Sequence, residues 1–226
     1  VTLLPIKRRW KYIPPPEKAK LDKSNALAQR IIWATFGTTD IVNHKEGTLY
    51  GSVARSSDKL GRGTFGNNAA DSGMVFESES LADLDGRSIF TVVSIASITS
   101  MLDYQGQTEI PYFGATGSGT PYATFSFGTR DATINNGARI FYANSTSEFS
   151  RCESGTTDFW KEDGEIHSYA AVVDNGGNDN CDFYRDGELI DSQSFNTNSN
   201  RAVYFHTSNT KRIVYHAPND LQSSVV

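Results

Sequence analysis

The chain has 226 residues, 38% hydrophobic, 12% aromatic and 21% charged, with a formal net charge of −5. A negative balance argues against a dedicated nucleic-acid binder, which needs a basic face to displace counterions from phosphates, and no stretch reaches the ~18 to 20 apolar residues that cross a bilayer. Nineteen Gly, ten Tyr and thirteen Phe among many Ser, Thr and Asn suit short strands and frequent turns, so the composition predicts one large, soluble all-β domain able to bury its own core.

Residues 1–20 differ from the rest. Lys7, Arg8, Arg9, Trp10, Lys11 and Tyr12 form a basic, aromatic cluster, followed by the stiff Pro14-Pro15-Pro16 run. Proline fixes φ and removes a backbone donor, so this segment reads as an extended arm. Two readings stand for it: a solvated tail, or an arm that lies on a neighbouring protein through Trp10 and Tyr12. The density of Leu3, Leu4, Ile6, Trp10, Tyr12 and Ile13 favours the second. The first thirty residues lack the apolar core of a signal peptide.

From residue 21 to the end the pattern is that of a sandwich. Asp22 or Ser24 is expected to cap a short helical turn, after which Ile31 to Phe36 forms a strand. Gly51 to Gly73 is polar and Gly-rich, predicting loops with at most one short strand. In Phe90 to Ala96 both alternating sets of residues are largely apolar, which predicts a strand in the middle of a sheet. Further strands are expected at Ser100–Tyr104, Thr124–Gly128, Ala138–Ala143, His167–Asp174, Asp182–Arg185, Glu188–Ser194, Arg201–His206 and Lys211–Tyr215. Turns are expected at Gly117-Ser118-Gly119, Asn135-Asn136-Gly137, Asn175-Gly176-Gly177 and Asp186-Gly187. Strands about ten residues apart with such punctuation are the pattern of a β-sandwich.

The stretch His167-Ser168-Tyr169-Ala170-Ala171-Val172-Val173-Asp174, then Asn175 to Asn180, then Cys181-Asp182-Phe183-Tyr184-Arg185-Asp186-Gly187-Glu188-Leu189-Ile190, resembles the closing hairpin of concanavalin A-like and laminin-G-like jelly-roll domains. There "H-x-x-A-x-x-x-D" is followed by "x-x-Y-x-D-G-x-x". The segments Leu21–Phe36 and Leu81–Ala96 resemble passages of the jelly rolls found in phage-encoded proteins. Arg212 to Leu221 departs from that family's usual "R-x-Y-N-R-A-L-S" ending. The resemblance implies an antiparallel jelly-roll sandwich over residues 21–226 behind the arm. It further implies a non-enzymatic virion structural protein of a bacteriophage, a capsid decoration or a head or tail fibre component, at the virion surface after assembly in the host cytoplasm. Its partners would be other virion proteins and further copies of itself, with no membrane or nucleic acid. The alternative is a lectin-like module for host or environmental glycans, because the fold serves many functions.

The residues themselves give little sign of catalysis. Glucanases of this fold align three acids on one strand. Glu77-Ser78-Glu79 lacks the third acid, and Glu162-Asp163-Gly164-Glu165 has the wrong spacing and reads as a loop. His44, His167, His206 and His216 stand beside no nucleophile motif, and His167 is expected to pack at a strand start. Asp174, Asn175, Asn178, Asp179 and Asp182 cluster about one loop: either a Ca²⁺ site through Asp174, Asp179 and Asp182, or an ordinary Asn/Asp/Gly turn with no cofactor. Tyr104, Tyr112, Phe113, Tyr122 and Trp160 fall in or near expected loops and are the candidate glycan contacts, although most aromatics must fill the core. Cys152 and Cys181 are left open between two half-buried free thiols and one bridge.

Overall fold

A computed structural model describes residues 21–36, 38–50, 54–58, 61–65, 73–77, 83–98, 103–104, 107–108, 113–116, 123–131, 135–145, 148–195, 202–204 and 212–215. The arm residues Lys7 to Tyr12 lie outside them, as do Tyr112, Tyr122, His206, His216 and the Gly117-Ser118-Gly119 turn.

The described residues form an antiparallel jelly-roll sandwich. One sheet has seven strands, β4 (Thr48–Tyr50), β7 (Gly73–Glu77), β11 (Phe113–Thr116), β12 (Ala123–Asp131), β13 (Asn135–Ala143), β14 (Phe149–Glu153) and β18 (Arg212–Tyr215), in the order β14-β13-β12-β11-β18-β7-β4. The other has four, β8 (Ile89–Ser97), β15 (Ile166–Asp174), β16 (Asn180–Arg185) and β17 (Glu188–Ser194), in the order β17-β16-β15-β8. Small accessory sheets join β1 (Thr35–Phe36), β2 (Thr39–Asp40) and β3 (Lys45–Glu46), then β5 (Ala54–Asp58) with β6 (Gly61–Phe65), and β9 (Asp103–Tyr104) with β10 (Gln107–Thr108). A single helical turn, α1 (Ala26–Gln29), precedes them.

Period-two alternation sends one side of each long strand inward. Phe125 and Phe127 of β12, Ala138, Ile140 and Tyr142 of β13 and Cys152 of β14 meet Tyr169, Ala171 and Val173 of β15 and Cys181 and Phe183 of β16 in one buried core. Phe90 crosses the layer, its ring 5.6 Å edge-on from both Phe125 and Tyr142. Phe159 and Trp160, from the connection between β14 and β15, add two more fully buried rings, with Trp160 4.4 Å from Tyr169 and 5.3 Å from Phe127.

Several sequence expectations are corrected. β8 is an edge strand of its sheet, paired among the described strands with β15 alone, and its apolar outer face exposes Ile89, Val93 and Ile95 at 63 to 65% instead of packing in a sheet interior. Asn25, rather than Asp22 or Ser24, caps the helical turn, its side-chain oxygen accepting from Leu27 N at 2.9 Å. Asn135-Asn136-Gly137 opens β13 instead of forming a turn, with an irregular register against Asp131 absorbing the extra residue. Residues 54–58 and 61–65 form a two-stranded hairpin where loops with one strand were expected. Residues 202–204 form no strand; Val203 bonds instead across Gly86 and Arg87, and Tyr204 N donates to Ala143 O.

Two turns set up the outer surface of the four-stranded sheet. Asp186 and Gly187 both have positive φ, 52° and 83°, the geometry of a tight primed hairpin turn between β16 and β17. In the β15–β16 turn the positive φ falls on Asp179 (53°) rather than on Gly176 or Gly177. Gly176 serves close approach instead: a Cβ there would sit 2.8 Å from Ser88 Oγ.

Candidate functional site

The registers of the four-stranded sheet fix which side chains share its outer face. One row runs Val93, Ala170, Tyr184, Leu189 across all four strands, and the next runs Thr91, Val172, Asp182, Ser192. Ser168 stands beside Ile95 on one side of these rows, and Asp174, Asn180 and Ser194 continue from Ile89 on the other. Ala170, Ser168 and Gly187 are small, whereas Val93, Val172 and Tyr184 stand up around them. The result is a shallow, open depression of about 310 Å³ with an apolar floor and one aromatic wall.

Polar groups border it in fixed orientations. Asp182 Oδ1 accepts from Asn180 Nδ2 and from Ser192 Oγ, both at 2.7 Å, and Ser192 Oγ lies 3.1 Å from Asn180 Oδ1. Asp174 Oδ2 accepts from Asn178 Nδ2 at 2.5 Å. Carboxylate, amide and hydroxyl thus hold one another in place at the edge of an apolar hollow, which lowers the cost of ordering them around a ligand.

The opposite end of the depression is tied down by His167. Its Nδ1 is 2.6 Å from Asp186 Oδ2 and its Nε2 is 3.0 Å from Asp163 Oδ2, while Asp186 Oδ1 accepts from Ser168 N at 2.9 Å. The bond to Asp186, with Asp163 adding to it, raises the His167 pKa above its ordinary value. Asp186 is lowered chiefly by His167, and Asp163 first by the Glu165 backbone N–H and then by His167. His167 is thus a brace between the 163–165 loop and the β16–β17 turn, at a strand start as its position in the sequence suggests.

The candidate residues read from the sequence fall differently. Trp160 is wholly buried, so it belongs to the core and not to a glycan surface. Tyr104 ends β9. Asp174 and Asp182 project from the outer face through their strand positions, whereas Asp179 belongs to the turn with its Oδ1 buried. Among the described residues no group of three or more His, Cys, Asp or Glu side chains is arranged to hold a metal ion. Tyr184 and the small residues Ser168 and Ala170 were missed as site residues. Alternation in the two strands around the Asn175–Asn180 turn was the available signal, since it puts Ser168, Ala170 and Val172 on one face beside Asp182 and Tyr184.

No protein-family model matches the chain, and no curated protein is matched by its sequence. Among solved structures it is similar to the binding domain of Paraclostridial Mosquitocidal Protein 1, at 12% identity and a TM-score of 0.49 over 82% of this chain and 48% of that one. It is also similar to the CBM40 of the Ruminococcus gnavus IT-sialidase, at 17% identity and a TM-score of 0.42 over 63% of this chain and 72% of that one. The chain therefore spans about half the length of the mosquitocidal-protein structure it matches.

Proposed function

We propose that the chain is a non-catalytic binding module whose ligand is a glycan, held on the outer face of the four-stranded sheet. One observation carries this: the depression lined by Val93, Ser168, Ala170, Val172, Tyr184 and Gly187 abuts the ordered Asn180, Asp182 and Ser192 cluster. A sugar ring has an apolar C–H face and a rim of hydroxyls, and this surface offers the complement of both. Tyr184 and the valines take the C–H face, and Asp182 and Ser192 take hydroxyls. A glycan array probed with the full chain and with Tyr184→Ala tests the reading. Binding to a defined glycan, weakened about tenfold or more by the substitution, supports it; no binding to any glycan, or binding indifferent to Tyr184, overturns it.

A second reading is favoured by β8. Ile89, Val93 and Ile95 form an exposed aliphatic row on an edge strand, a surface that suits protein docking. On that reading the chain is a structural protein, of the virion kind implied by the phage-like segments, anchored by Lys7 to Tyr12. Co-sedimentation of the chain with and without residues 1–20 on candidate particles separates this reading from the first.

A further inference from the structure

We infer that Cys152 and Cys181 are the two halves of a cross-sheet disulfide site, closing the sandwich covalently between β14 and β16. Both thiols are free in this structure and both are buried, at 1% and 0% exposure, in the same core cluster. They come from opposite sheets: Cys152 pairs with Ile140 in the seven-stranded sheet, and Cys181 lies between Val173 and Gln193 in the four-stranded one. Cys152 Sγ reaches across to the backbone of β17, 3.4 Å from Gln193 O and 3.7 Å from Ser194 O. Gln193 is the direct cross-strand partner of Cys181, so the Cys152 sulfur ends beside the backbone position that faces Cys181. The neighbouring Cys152 side chain, and then burial, push the Cys181 thiol pKa far upward.

These observations define both the site and the way it reacts. A buried thiol with a raised pKa is a poor nucleophile, so the folded chain resists oxidation. The bond forms during folding or local opening, when one cysteine as thiolate attacks a small disulfide such as oxidised glutathione and expels one glutathione. The second cysteine, brought alongside as the sheets pack, displaces the other. Two protein thiols and one glutathione disulfide become one protein disulfide and two glutathione thiols, with no further oxidant. The link joins strands that no backbone hydrogen-bond ladder connects, and it closes a segment of about thirty residues in the unfolded chain, which confers stability chiefly by restricting that ensemble.

The test uses the full chain, unfolded and reduced, then refolded in a glutathione redox buffer or in excess reductant. Alkylation without reduction, followed by peptide mass mapping, is expected to give a Cys152–Cys181 linked pair about 2 Da lighter than its two free peptides. The oxidised form is expected to melt roughly 5 to 10 °C above the reduced form. Cys181→Ala is expected to melt at the same temperature in both buffers. The proposal is overturned if folded wild-type chain from the redox buffer carries two alkylated or glutathione-capped cysteines, if the link joins two chains, or if the linked form melts lower.

Discussion

The Asn175 side-chain amide donates to the Tyr142 hydroxyl at 2.6 Å, with both residues wholly buried. Asn175 opens the β15–β16 turn and Tyr142 lies near the end of β13, so this bond ties one sheet to the other at one end of the sandwich. Asn175 N also donates to Ser88 O at 3.0 Å, which draws the start of β8 into the same junction. Burial raises the Tyr142 pKa, so the phenol stays protonated and its oxygen is available as an acceptor through neutral pH.

Tyr142→Phe keeps the ring and removes the acceptor. Withdrawing one partner from a buried amide costs about 1 to 3 kcal/mol, which in a chain of this length lowers Tm by roughly 2 to 12 °C. Thermal unfolding measures it, and an unchanged Tm would show that the cross-sheet bond contributes nothing.

The His167 brace makes stability depend on pH with a defined sign. His167 has a raised pKa, so its contribution is complete below its ordinary value near 6.5 and is lost as pH rises through the raised one. Asp163 and Asp186 have lowered values, so their contributions are complete above about pH 4 and are lost as pH falls through those lowered values. The brace is therefore fully formed between about pH 4 and 6.5 and weakens towards alkaline pH. His167→Asn is expected to flatten the change in Tm between pH 6 and pH 8.5. An identical slope in wild type and variant would remove the brace from the account. Both carboxylates are about half-exposed, so solvent screening keeps the effect modest.

Trp160 offers a test of packing against polarity. Its ring is fully buried among Phe127, Phe159 and Tyr169, yet its Nε1 finds no hydrogen-bond partner among the described residues. Trp160→Ala is expected to cost about 3 to 5 kcal/mol in denaturant titration. Trp160→Phe keeps an aromatic ring and deletes the unpaired donor, so its cost is expected to be under half of that. Equal losses would mean that the indole Nε1–H, and not ring volume, governs the position.

Much of this fold is legible in the sequence for identifiable reasons. Glu188 to Ser194 is a strand with the bounds expected, because Asp186-Gly187 punctuates it at one end. His167 to Asp174 extends by one residue only. β8 misleads because Ile89, Val93 and Ile95 are apolar without being buried, and alternation of apolar residues cannot distinguish an inner strand from an edge strand with an exposed aliphatic face. Trp160 misleads for the opposite reason. It sits in a connection, and only the path of that connection across the sandwich, held by Arg185 donating to Phe159 O, turns its ring inward. The depression was not visible as a site because it comes from strand register: Ala170 becomes a floor only once Val93 and Tyr184 stand on either side of it.

The central claim is that ligand is held on the outer face of the four-stranded sheet. The most direct measurement is a methyl NMR titration of the full chain with the best-binding glycan from the array. The account predicts shifts concentrated at the methyl groups of Val93, Ala170 and Val172, with Ile140 and Val173 of the core unmoved. Shifts that leave those three residues untouched and gather elsewhere on the molecule would contradict it.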